Sequence, residues 1–278
     1  MAGYKTKNVF IVSKKMTLVF KYIHGGIGWN MENNKKEELW RDKFINISNE
    51  NKEDIVLFLQ KALSDINVEK NDMWDGLTVS LVRNLLNSSA KDMESLKEMV
   101  INKADEMIKA DISEPEAVLA LEYTTAPCIL FTAYKLTGSD IYKEKIIQLE
   151  KSDLRMGLAF DMLYETAFGG KEHYHAITVE FDELAKKNRT SDMEKAMFMI
   201  ALIDTIEAID QPVYELYRKL VDIFRDEMKS IVVLAKEAGL MDKKQLLKDV
   251  LASAILSCTL KKACDMKVVL AEKYSAFI

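Results

Sequence analysis

After residue 53, apolar residues recur at three- and four-residue steps almost without interruption, the signature of helices with a buried stripe. The pattern predicts helices over 53–66, 74–87, 91–110, 114–136, 140–150, 154–168, 171–187, 192–209, 213–238 and 243–263, with a short one over 268–274. Stop and start signals separate several of them. Thr137, Gly138 and Ser139 close one helix and open the next, Gly169 and Gly170 do the same for another pair, and Pro212 stands near a first turn. Such short links force successive helices back on each other as antiparallel hairpins. Residues 1–50 differ: 9–12 and 16–23 are β-branched and aromatic, Gly25, Gly26 and Gly28 follow, and then a polar stretch. They are expected to be an N-terminal arm, partly irregular or strand, ahead of one helical domain over 51–278.

Composition narrows the chemistry. The 278 residues are 49% hydrophobic, enough for a sizeable core. Lys and Arg total 39 against 44 Asp and Glu, a net charge of -5 with no basic tail, which argues against nucleic acid and an anionic membrane surface as partners. Lysines break up the short apolar runs of the first 23 residues, so neither a signal-peptide core nor a membrane span is expected, and the chain reads as cytoplasmic. Cys128, Cys258 and Cys264 sit among apolar neighbours and read as buried free thiols rather than ligands or nucleophiles.

Three groups of residues carry a family resemblance. The first is Tyr123, Thr124, Thr125, Ala126, Pro127, with Leu136, Thr137, Gly138 and Tyr142 behind it. The second is Tyr164, Glu165, Phe168, Gly169, Gly170, Lys171, Glu172 and His173. The third runs from Met199 through Asp204, Thr205 and Glu207 to Tyr214, Tyr217 and Arg218, with Lys262, Ala263 and Cys264 later in the chain. Over roughly residues 115–278 the chain resembles the unsaturated uronyl hydrolases, glycoside hydrolase families 88 and 105. The resemblance implies an all-α, (α/α)6-like toroid of helical hairpins, here shortened and incomplete. It also implies a reaction in which one aspartate protonates the double bond of an unsaturated uronide, a role that needs a carboxyl group able to exist in both protonation states.

Aligned back from Glu172 and His173, the catalytic aspartate position falls on Ser152, and Tyr123 stands where the family has Asn. Asp153 is one residue away, about 100° round a helix. It reads as an N-cap or first-turn carboxylate, and as the acid only if the local register shifts. The loops that carry histidine, tryptophan and arginine in the family are missing between 149 and 153 and between 181 and 193. The expectation is a degenerate binding or interaction module that no longer hydrolyses. The alternative is an active hydrolase of unsaturated glucuronyl or galacturonyl oligosaccharides using Asp153 or Asp75 in a rearranged site, and a third reading recruits the scaffold to unrelated chemistry.

Other candidates are weaker. Trp74 and Asp75, with Tyr123 and Ser152, could line a central cavity and hold a sugar, though a helix-start Asp beside a partly buried Trp is the plainer reading. His173 and His175, two apart, do not share a helix face and make a poor metal pair. Asp204 and Glu207 lie one turn apart like half of a di-metal site, but no Glu-x-x-His accompanies them and a solvated helix face is expected. His24 beside Gly25, Gly26 and Trp29 could line a small pocket. No cofactor or metal is expected, an oligosaccharide or other small molecule in the central cavity is the expected ligand, and exposed apolar edges leave room for a homo-oligomer.

Overall fold

The computed structural model describes residues 36–45, 52–69, 72–87, 93–112, 124–152, 154, 156–210 and 212–277. All of them from Glu37 onward belong to one compact unit, Glu37–Ile278. Among the described residues the regular elements are all helical, as the three- and four-residue spacing requires. They are α1 (36–45, with a wider π turn over Trp40–Phe44), α2 (Lys52–Ser64), α3 (Met73–Asn87) and α4 (Glu94–Lys109). A 3-10 turn, Ala126–Cys128, leads into α5 (Ile129–Thr137), and a second one, Met241–Lys243, lies ahead of the helix that opens at Val250. Then come α6 (Asp140–Lys151), α7 (Leu158–Tyr164, running into a π turn over Glu165–Gly169), α8 (Tyr174–Ala185), α9 (Asp192–Ala208), α10 (Tyr214–Glu237), α11 (Val250–Asp265) and α12 (Ala271–Tyr274). None is long and apolar enough to cross a membrane.

Local chemistry sets the boundaries. Gly138 and Gly170 take left-handed conformations (φ 68° and 76°) at the ends of α5 and of the α7 π turn, which a residue without Cβ adopts freely. Ser191 opens α9 with a capping box: its hydroxyl accepts from the Glu194 amide at 3.0 Å, and the Glu194 carboxylate accepts from the Ser191 amide at 3.2 Å. Several expected helices start later than their periodicity suggests, those over 154–168 and 171–187 at Leu158 and Tyr174. The helix expected over 114–136 is broken at Thr125, which is extended (φ -117°, ψ 154°), and a new turn starts at Ala126 and Pro127; residues 113–123 lie outside the described residues. The one expected over 243–263 begins at Val250, where the Asp249 carboxylate caps the Ala252 amide at 2.8 Å; before it Lys244 takes a left-handed conformation (φ 55°).

Consecutive helices pack on each other (α2 with α3, α5 with α6, α7 with α8, α9 with α10), and next-but-one helices also touch (α2 with α4, α7 with α9, α8 with α10, α9 with α11). Residues 36–45, within the stretch expected to be the N-terminal arm, are helical, and α1 packs on both α2 and α11. Trp40 anchors it, lying edge-on to Phe58 (4.8 Å between centroids) and beside Trp74 (5.8 Å), while Arg41 donates to Asp249 at 2.8 Å. The rest of that arm lies outside the described residues.

Two helices have no wet side. Every residue of α3 from Trp74 to Arg83 is buried, and so is every residue of α9 from Ala196 to Ala208 except Glu207. These two helices touch each other, and α9 also packs on α7, α10 and α11. One group of interior charges gathers where α3, α9 and α11 meet.

Candidate functional site

The site begins with a glycine. At Gly76 on α3 a Cβ would lie 1.7 Å from the Thr124 carbonyl oxygen, so the absence of a side chain is what lets the extended Thr124–Thr125 backbone lie against the helix. That strap is then pinned from both hydroxyls. Thr124 Oγ1 donates to Asp204 Oδ2 on α9 at 2.7 Å, and Thr125 Oγ1 donates to the Met156 carbonyl at 2.6 Å.

Asp204 is the centre of the cluster and is 0% exposed. Lys262, on α11, donates to its Oδ1 at 2.7 Å and to Glu207 Oε2 at 2.8 Å. Arg83, on α3, lies 3.9 Å from Asp204 and 3.6 Å from Glu207. Lys262 is 3% exposed and Arg83 7%. Glu207, 22% exposed, is the rim: Asn87 donates to its Oε1 at 3.0 Å, and the exposed Lys135 donates to the Asn87 side-chain Oδ1 at 3.3 Å. Two cations thus face two carboxylates, and the buried charges balance.

The electrostatics follow from that balance. Burial alone would push the Asp204 carboxyl up, but the charges of Lys262 and Arg83, with hydrogen bonds from Lys262 and Thr124, outweigh it and hold the group below the usual carboxylate range. Burial pushes the Arg83 guanidinium down, and the carboxylates of Asp204 and Glu207 more than restore it. The Cys128 thiol beside them is raised chiefly by burial, against the pull of Arg83, so it behaves as a small apolar side chain. Arg83 Nη1 has no hydrogen-bond partner among the described residues and is held there by charge.

These contacts correct the expectation that Asp204 and Glu207 lie on a solvated face. Neither is a half-built metal site either, since lysine and arginine occupy their oxygens. Among the described residues no group of three or more His, Cys, Asp and Glu is placed to hold a metal ion. Arg83 carried no sequence signal that set it apart; Thr124, Asp204, Glu207 and Lys262 all stood in the segments of family resemblance.

The residues expected to line a sugar cavity lie elsewhere or serve other ends. Trp74 is 1% exposed and lies tilted against Trp40 in the core, an anchor rather than a free stacking platform; its Nε1 has no hydrogen-bond partner among the described residues. Asp75 is buried in the first turn of α3, where its Oδ2 accepts from the Asn67 amide at 3.3 Å and its own amide donates to Asp72 at 3.0 Å. Ser152 terminates α6: its hydroxyl donates to the Leu149 carbonyl at 2.5 Å and accepts from the Leu154 amide at 3.3 Å. Asp153, Tyr123 and the group His24, Gly25, Gly26 and Trp29 lie outside the described residues.

A second polar knot joins α7 to α8. The buried Glu165 carboxylate accepts from the His173 amide at 3.3 Å and contacts its Nδ1 at 2.6 Å, and it folds over Gly169, where a Cβ would come within 2.7 Å of it. Thr166 donates to the Ala208 carbonyl at 2.8 Å, and the Tyr174 hydroxyl accepts from the Asp210 amide at 3.2 Å, tying the end of α9 to the same junction. The His173 ring is largely exposed and His175 is exposed, with no shared ligand geometry. The three cysteines are free; Cys128 is buried and the other two partly covered, with burial raising the Cys258 thiol to about 11.

A shallow groove between α8 and α10, lined by Asp182, Glu215, Arg218, Lys219, Asp222, Ile223 and Asp226, is open to solvent, and Asp182 within it is already bonded to Lys186 and paired with Lys219. No protein-family model, no curated protein and no solved structure matches this chain.

Proposed function

We propose that this chain is a shortened relative of the unsaturated uronyl hydrolases, an (α/α) toroid of helical hairpins that keeps the scaffold, does not cleave sugars and serves as a binding or interaction module. One observation carries this reading: the interior carboxylates Asp204 and Glu207 are neutralised by Lys262 and Arg83. A general acid must cycle between protonated and ionised forms near neutral pH. Asp204, held below the ordinary carboxylate range by two cations, stays ionised there. Two placements support it. Ser152, on which the resemblance puts the catalytic aspartate, spends its hydroxyl on a helix end, and Trp74 is buried in the core beside Trp40. The order of helix packing, with both neighbouring and next-but-one helices in contact, is compatible with a toroid of hairpins and supports that reading.

The test is direct. Purified protein incubated with an unsaturated digalacturonide or an unsaturated chondroitin disaccharide is expected to leave the double-bond absorbance unchanged relative to buffer. Turnover that disappears in Asp153→Asn would establish the active-hydrolase alternative and remove the present reading.

A further inference from the structure

We propose that the Arg83, Asp204, Lys262 and Glu207 cluster is a register lock, a built-in conformational device that selects one rotation and one axial position for α3, α9 and α11. The need for such a device comes from the helices themselves. An ordinary surface helix is oriented by its own pattern, since its polar face must meet water. The stretches Trp74 to Arg83 and Ala196 to Ala208, covered everywhere except at the partly exposed Glu207, have no wet face to serve that purpose. A covered apolar helix turned by one residue or slid by one turn still buries apolar surface, so hydrophobic burial, which is non-directional, discriminates poorly among these placements.

Charges discriminate sharply. Arg83 is the last buried residue of its run, Asp204 and Glu207 lie one turn apart near the end of α9, and Lys262 lies near the end of α11. Lys262 reaches both carboxylates at 2.7 and 2.8 Å, and Thr124 claims the remaining Asp204 oxygen at 2.7 Å. A slide of one turn, about 5.4 Å, or a rotation of one residue, about 100°, would break these contacts and strand ions in a dry interior. Wrong placements are therefore penalised far more than the right one is rewarded, which is how a buried polar group specifies register in helical assemblies. The lock stands whether or not the chain acts on a sugar.

Two variants separate register from stability. The apolar variant combines Arg83→Met, Asp204→Leu and Lys262→Met. The polar variant combines Asp204→Asn with Lys262→Gln and keeps hydrogen-bonding groups at the junction. The apolar variant is expected to retain the far-ultraviolet helical signal while losing the near-ultraviolet signal of its packed aromatics and the dispersion of its amide NMR spectrum. The polar variant is expected to keep both. An apolar variant with native near-ultraviolet and NMR spectra would overturn the proposal, because packing alone would then set the register. An unfolded apolar variant would overturn it too, by showing that the ions supply net stability. So would a polar variant as loosely packed as the apolar one.

Discussion

At Gly76 a single methyl group decides whether the interior assembles. Replacing it with alanine improves intrinsic helix propensity by about 1 kcal/mol, but the new Cβ would sit 1.7 Å from the Thr124 carbonyl oxygen, a backbone atom that cannot swing aside. The strap would have to lift, and with it the hydroxyl that holds Asp204. Gly76→Ala is therefore expected to destabilise the fold by about 3 kcal/mol, the upper range for overpacking a filled interior, as read from the urea midpoint; an unchanged or raised midpoint would show that Thr124 does not bear on α3. Ser152 teaches the reverse lesson. Its hydroxyl joins the Leu149 carbonyl to the Leu154 amide, so a position that resemblance marks for chemistry has a full structural occupation.

Among the elements, what a sequence discloses depends on whether the signal is local. The expected helix over 192–209 matches α9 to within a residue, because Ser191 and Glu194 supply a capping box and the apolar run is continuous. Gly138 likewise marks the end of α5. The break just ahead of α5 is legible in Pro127, against the periodicity that runs through it. Asp249, an N-cap ahead of an apolar run, was a signal of the same kind. The ion cluster was not legible. Asp204 and Glu207 look like a polar stripe only if α9 has a wet side, and their partners lie 55 to 80 residues along the chain for Lys262 and Thr124, farther for Arg83. The hint was that α9 has apolar residues on every face, which leaves no solvated side for Asp204 to occupy.

For the molecule as a whole, the cluster predicts both an acid limit and a pattern of energetic coupling. The folded-state Asp204 carboxyl titrates below its unfolded value, near 3.9, so its contribution is fully present above that value and is lost as pH falls through the lower, folded one. The urea midpoint of the natural chain is expected to drop more steeply below about pH 4 than that of Asp204→Asn, and parallel curves would count against the assignment. The central claim, that these interior charges are structural counterions rather than catalytic groups, is tested most directly by a double-mutant cycle on Asp204 and Lys262 followed by urea unfolding at neutral pH. Asp204→Asn and Lys262→Met alone are each expected to lose about 3 to 5 kcal/mol, because each strands a buried partner, while the double variant loses clearly less than the sum. Strictly additive losses of under about 1 kcal/mol each, the behaviour of a solvated surface pair, would contradict it.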